Sequence, residues 1–187
     1  MSSATVKGTA TLDDLYKVEG KAELIAGRVV HFMPTGFWPG EVSVGIYLSL
    51  KLHARGTNRG HATPDNVGYA IRELPSGRES FSPDAAFFDG SIPDKWMRFI
   101  EGAPTFAAEV RSEGDYGPAA DRDYTIKRAD YFQAGTLVVW DVDPRTECVR
   151  SYRAETPDQP MTFRKGQVAD AELAVPGWRM AVDDIFA

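Results

Sequence analysis

The sequence predicts a mixed α/β fold, α+β in its segregation, with a central mixed β-sheet flanked by helices. Three observations carry this. Stretches of helical and strand periodicity follow one another as helix, hairpin, helix, strands, helix, strands, the pattern of a layered sheet rather than a helix bundle. Apolar residues make up 43% of the chain and charged residues 26%, close to globular averages and unlike a disordered chain. A chain of 187 residues can bury roughly 70% of its unfolded surface in one core. No repeat, low-complexity tract or Pro/Gly-rich linker divides it, so residues 1–187 are expected to form one domain.

Thr11 is placed to cap a short amphipathic helix, with Asp13 and Asp14 in its first turn and Gly20 as its stop. Glu23-Leu24-Ile25 and residues 28–32 flank Ala26-Gly27, a two-residue hairpin connection. Residues 36–40, with Phe37 and Trp38, show no core periodicity and read as a packed aromatic loop or a substrate or dimer contact. Residues 42–54 carry Val42, Ile46 and Leu50, and also Val44, Leu48 and Leu52, at helical spacings, which predicts a helix with a buried face ending near Gly56.

Strands are expected at 68–74 and 79–88, around the turn Pro75-Ser76-Gly77-Arg78, and again at 105–110. Residues 119–133 form a helix closed by Gly135. Residues 136–142 are too continuously apolar for a half-exposed strand, which places that strand centrally. Asp143-Pro144-Arg145-Thr146 then turns the chain into a strand at 147–152, and weaker edge strands follow at 161–163 and 168–174.

Charge and residue inventory exclude several function classes. Lys and Arg number 21 against 27 Asp and Glu, a net charge of −6, so no global field draws the chain to polyanions and a nucleic-acid partner must be met locally. Residues 51–80 differ: Lys51, Arg55, Arg59, Arg72 and Arg78 outnumber Asp65, Glu73 and Glu79 by two, enough for weak, salt-sensitive phosphate contact. The single cysteine, Cys148, excludes an intrachain disulfide and a Cys-based zinc site. His31, His53 and His61 lack the spacing of a metal pair. No phosphate-binding or dinucleotide glycine pattern is present. Residues 1–20 lack a signal-peptide core and the densest apolar run, 137–140, is too short to span a bilayer. A cytoplasmic chain without a membrane partner is therefore expected.

The candidate chemistry lies in two strands. Pro83 can sit only at a strand's start or edge, so Asp84 behind it is expected at the rim of the sheet. In Phe106-Ala107-Ala108-Glu109-Val110-Arg111 the strand period aims Glu109 and Arg111 at one face. If the two strands are neighbours, Asp84 and Glu109 converge as hard oxygen ligands of the kind Mg²⁺ uses alongside several waters. The same residues also fit a plain Glu109–Arg111 ion pair with Asp84 capping a turn, and spacing alone leaves both readings open. Asp141 and Asp143, flanking the tightest turn, read as hairpin chemistry.

Pro83-Asp84 followed by Glu109-Val110-Arg111 resembles the PD-(D/E)XK nuclease superfamily. More closely, the chain resembles the Uma-two family of restriction-endonuclease-like proteins. The matching motifs are Glu23-Leu24-Ile25-Ala26-Gly27-Arg28-Val29, Pro83-Asp84, Glu109-Val110-Arg111-Ser112, the Lys127, Tyr131, Gly135 series, and Trp140, Asp141 and Pro144. Five motifs in order, over roughly residues 10–155, are far more specific than any one. The resemblance implies a restriction-endonuclease-like core with an N-terminal hairpin. It further implies a Mg²⁺-dependent site, with Mn²⁺ as a substitute, that hydrolyses DNA phosphodiester bonds through metal-activated water.

Asp84 and Glu109 would be its metal ligands, and Glu23 would complete the site directly or through water. Three such carboxylates repel one another unless a cation is bound. Two departures stand out. The superfamily lysine is Arg111 here, which cannot be deprotonated and so cannot serve as a base, although it can clamp a phosphate. Lys127, one helical turn from Tyr131, is the other candidate ammonium, or else a surface lysine paired with Asp123 or Asp130. Many family members carry a His at the start of the long helix, where this chain reads Trp38-Pro39-Gly40-Glu41. A homodimer is expected, since such nucleases often present two sites to two strands and two-fold dimers are the commonest oligomers. The alternative is a non-catalytic binding or assembly module with an impaired site.

Overall fold

The structure, a computed structural model, describes residues 8–92 and 97–187; the first seven residues of the N-terminal stretch read above lie outside the described residues. The elements run α1 (Leu12–Leu15), β1 (Ala22–Ile25), β2 (Arg28–His31), α2 (Phe37–Thr57), β3 (His61–Pro64), β4 (Tyr69–Ala70), β5 (Ser80–Phe81), β6 (Ala85–Phe88), β7 (Ile100–Glu101) and β8 (Phe106–Val110). They continue with α3 (Pro118–Ala134), β9 (Val138–Asp143), β10 (Cys148–Arg153), β11 (Thr156–Arg164), β12 (Val168–Asp170), β13 (Arg179–Ala181) and α4 (Val182–Ile185). A six-stranded sheet in the order β11-β10-β9-β8-β6-β3 forms the centre, with a three-stranded sheet β5-β4-β7 and the hairpins β1-β2 and β12-β13 beside it. The mixed α/β architecture expected from the sequence is present.

Only β8 and β9 pair in parallel within the central sheet. Parallel neighbours need a crossover, and α3 supplies it. Pro118 opens α3 where its missing N–H costs nothing, and Gly135, at φ +106°, closes it in the left-handed conformation. One sheet face buries Ala85, Phe87, Phe106, Ala108, Val110 and Trp140 against α2, α4 and Trp178. The other buries Ala86, Ala107 and Val139 against Tyr131 of α3 and the small sheet. Because successive strand residues alternate faces, Glu109 shares the face of Ala107 and looks towards α3. Strand β9 is an inner strand, as its apolar run predicts, and every residue of it is buried.

Several expectations change in detail. Helix α1 has a Thr11–Asp14 capping box but only one turn, because Tyr16 leaves the helix to pack edge-on against Phe99, with ring centroids 4.7 Å apart. The expected strand 79–88 is split into β5 and β6 around Ser82-Pro83-Asp84, since Pro83 has no N–H to donate. Residues 36–40 are not a loop: Phe37, Trp38 and Pro39 form the first turn of α2. In α2 the Val42, Ile46, Leu50, Ala54 stripe is buried, together with Ser43, and Val44, Leu48 and Leu52 are exposed. Strand β12 pairs with β13 rather than extending the central sheet. The edge strand β3 has no apolar alternation to announce it.

The basic stretch 51–80 is also weaker than its count. Arg78 is buried among carboxylates, and Arg59 is forked onto Asp89 at 2.6 and 3.1 Å. Among the described residues, no helix is long and apolar enough to cross a membrane.

Candidate active site

The hairpin β1-β2 delivers the first acidic residue. Its turn uses Ala26 and Gly27 at φ +50° and +64°, the pairing that matches the twist of a two-residue hairpin. That turn rests on the next one, with Ala26 N–H donating to the Gly77 carbonyl at 2.7 Å. Gly77 sits at φ +84°, and a Cβ there would meet the Ala26 backbone at 2.9 Å, so only glycine permits this approach. The docked turns bring Arg78 onto Glu23 and, at 2.8 Å, onto Asp130 of α3. Glu23 also accepts from the Ser82 N–H at 3.0 Å and from the Lys127 ammonium at 3.2 Å.

Asp84 stands between β5 and β6 at the rim, where its Pro83 placed it. Its Oδ2 accepts from the Val110 N–H at 2.7 Å, which ties it to the end of β8 directly after Glu109. Its Oδ1 accepts from Lys21 at 2.6 Å, and Lys21 also reaches Asp65 at 2.7 Å. Glu109 Oε2 accepts from Lys127 at 2.9 Å and Oε1 from the Tyr131 hydroxyl at 2.6 Å. Lys127 and Tyr131 are four residues apart on α3, so one helix face supplies both donors. Lys127 therefore serves Glu109 and Glu23, not Asp123 or Asp130. Its ammonium also lies 5.5 Å from the Phe32 ring centre, within cation–π range.

The protonation states follow from this packing. Burial opposes charge on Lys127, but Glu109 and Glu23 outweigh it and hold the ammonium protonated above the ordinary lysine range. Lys21 is likewise raised: burial works against its charge, and Asp84 and Glu109 overcome it. Burial would raise Glu23 too, yet Lys127 and Arg78 keep its pKa below the usual carboxylate range. Glu109 is different. Burial pushes its pKa up, Lys127 pulls it down, and the repulsion of Asp84 and Glu23 helps leave it raised.

Five carboxylates, Glu23, Asp65, Asp84, Glu109 and Asp130, are thus linked to three cations, Lys21, Arg78 and Lys127. The cluster carries an excess of two negative charges, and the raised Glu109 is where that excess is felt. Asp84 and Glu109 keep side-chain exposures of 19% and 10%, while Glu23 has none. Both open onto a groove of about 1470 Å³, whose wall carries Phe32, Met33, Phe37 and Trp38. Among the described residues no group of three or more His, Cys, Asp or Glu is gathered closely enough to hold a metal. Asp84 and Glu109 are two hard oxygen donors that line this groove, the number a divalent cation that retains several waters takes from protein.

Arg111 shares the α3 face of the sheet with Glu109 but turns away from it. Its guanidinium forks onto Asp141 at 2.7 and 2.8 Å and reaches Asp121, in the first turn of α3, at 2.7 Å. The Asp141 hydrogen bonds, joined by those of Asp121, raise its pKa still further. Asp141 is therefore an ion-pair partner rather than turn chemistry. Asp143 does serve the turn, accepting from the Arg145 and Thr146 backbones and the Thr146 hydroxyl, and from Tyr116 at 2.9 Å. Burial pushes Asp143 up, but these donors outweigh it and hold its pKa low.

Sequence reasoning passed over Lys21 and Asp65 as site residues. Both had signals. Lys21 lies two residues before Glu23, the spacing that shares a strand face. Pro64-Asp65 repeats the Pro83-Asp84 pair, and the antiparallel register sets Pro64 opposite Ala85, so the two aspartates meet at the same rim with Lys21 between them.

With this geometry in view, comparison with known proteins is decisive at the family level. The profile of Uma2, described as "Putative restriction endonuclease", matches residues 10–183. The chain belongs to the Uma2 family. A solved structure, of a protein from Anabaena variabilis described as a "putative nuclease belonging to DUF820", superimposes with a TM-score of 0.71 at 21% identity, covering 94% of this chain and 97% of that one. That likeness supports the Uma2 chain having the fold of the Anabaena protein. No curated protein is detectably similar in sequence.

Proposed function

We propose that this Uma2 chain is a divalent-cation-dependent endodeoxyribonuclease of the PD-(D/E)XK type, formed as one domain over residues 1–187 and acting in the cytoplasm. The observation that carries the reading is the pairing of Asp84 and Glu109, which open together onto the groove from a cluster with two uncompensated negative charges. These two residues would hold Mg²⁺ or Mn²⁺. Such an ion supplies Lewis-acid polarisation of a phosphoryl oxygen and acidifies water.

The chain's own residues do the rest. The Val110 N–H and Tyr131 hydroxyl fix the orientation of the two carboxylates. Lys127 and Lys21 remain protonated, so neither acts as a base, and both place positive charge beside a phosphate docked at Asp84 and Glu109. Glu23, closed off behind Lys127, anchors that ammonium and the Arg78 clamp beneath the site. Arg111 is held by Asp141 and Asp121 and stabilises the α3–β9 junction instead of meeting substrate.

One observation favours a second reading. Every carboxylate oxygen of Asp84 and Glu109 already accepts from a protein donor, as in a nuclease-fold binding or assembly module whose acidic groups are held by the protein's own donors. Incubating supercoiled and linear duplex DNA with the protein at low salt, with Mg²⁺, Mn²⁺ or a chelator, separates the two. Nicked and cut products that appear with either ion and vanish with chelator are expected. No cleavage with either ion would support the binding module.

A further inference from the structure

Helix α2 is apolar on two opposite sides. At 100° per residue Val42, Ile46, Leu50 and Ala54 fall on the face packed against the sheet, and all four are buried. Val44, Leu48 and Leu52 fall on the opposite face, where they are 47%, 50% and 70% exposed. Single exposed apolar residues need no explanation, but a contiguous stripe on a rigid helix is a candidate contact surface.

The stripe is symmetric about Leu48. Val44 and Leu52 lie four residues to either side of it, and Glu41 and Arg55 lie seven to either side. All five side chains project within about 40° of the Leu48 direction on an ideal helix. Glu41 and Arg55 are both exposed, and neither has an ion pair or hydrogen bond among the described residues. A stripe that reads acid, apolar, apolar, apolar, base is complementary to itself only when reversed, and reversal about a two-fold axis is what an isologous dimer provides.

We infer that a second copy of this chain packs antiparallel across this face of α2. Leu48 then meets Leu48 on the two-fold axis, each Val44 meets the other copy's Leu52, and each Glu41 meets the other copy's Arg55. The occupant is a second copy rather than an unrelated helix because the charges pair twice over by the same symmetry that aligns the apolar residues. Gly45 flanks the stripe, and a Cβ built on it meets nothing within 4 Å, so the backbones are free to approach on that side. One helix pair spanning about four turns is a small interface. The dimer should accordingly be weak, with a dissociation constant on the order of tens of micromolar.

Sedimentation velocity of the full chain from low to high micromolar concentration tests this. The parent is expected to pass from monomer to dimer. Leu48→Glu sets two carboxylates on the axis and should leave a monomer throughout, with unchanged circular dichroism because the position is half exposed. Glu41→Arg should weaken the dimer by about tenfold or more, through two lost pairs and two new repulsions. Adding Arg55→Glu to it restores both pairs with reversed sign and should recover the parent's constant. A chain monomeric across the range, a dimer that survives Leu48→Glu, or a double reversal that fails to recover the constant overturns the inference.

Discussion

Glu109→Gln is expected to lower the proposed divalent-cation-dependent cleavage by a factor on the order of 10²–10³, while leaving the protein at least as stable as its parent. The two halves of this result have one cause. The glutamine amide keeps the shape of the side chain and can still accept from Tyr131, and Lys127 retains Glu23 as its counter-charge. What is lost is a charge that the fold itself disfavours. Burial and the repulsion of Asp84 and Glu23 leave the Glu109 pKa above the ordinary carboxylate value, so the native state binds this proton more tightly than the unfolded chain does. The stability that Glu109 contributes is therefore full below its unfolded pKa and is lost as pH rises through its folded pKa. An amide at this position has no proton to lose. Relative to the parent, the variant should gain thermal stability as pH rises from acid to neutral, in the conditions where its activity is gone. Melting curves at several pH values beside a cleavage assay check this, and an active Glu109→Gln protein would remove Glu109 from the chemistry.

Arg111→Leu should give the opposite pattern, a loss of about 3–5 kcal/mol in stability with cation affinity changed by no more than about twofold. Arg111 is buried at the end of β8, and its fork satisfies both oxygens of Asp141, itself 3% exposed. Removing the guanidinium leaves Asp141 buried with Arg150 as its remaining cation, at 3.7 Å, and frees the first turn of α3 from its tie to the sheet. Replacing one partner of a buried pair costs far more than the pair contributes net, because the other charge stays desolvated. Chemical denaturation gives the stability change and calorimetric titration with Mn²⁺ gives the affinity. A variant of normal stability that cuts no DNA would return Arg111 to the phosphate.

Much of the fold could be read because its signals are local. The Ala26-Gly27 turn, the Thr11 cap, the Gly135 stop and the apolar run of β9 each act through nearest neighbours, and each is where the sequence puts it. Pro83 likewise fixed Asp84 at a strand entrance. Edge pairing was less legible. Strand β3 has β6 as its one strand partner and carries no alternation of its own, and β12 found β13 rather than the central sheet because nothing in a three-residue strand specifies its partner.

The same division runs through the candidate site. That Glu109 and Arg111 share a face follows from the strand period, but which partner each takes depends on where α3 crosses, a non-local fact. Asp121 in the first turn of α3 captures Arg111, and Lys127 and Tyr131 two turns later capture Glu109. The two stripes of α2 were equally apolar in sequence. Only the packing of the helix on the sheet decides which of them is buried and which is left for a partner.

A nuclease built on this site needs Asp84 and Glu109 to act together on one cation. Calorimetric titration of the full chain with Mn²⁺, set against the Asp84→Asn, Glu109→Gln double variant, tests that pairing most directly. One ion per parent chain and no measurable uptake by the double variant is the predicted result; a parent that takes up no ion, or a double variant that binds as tightly as the parent, would contradict it.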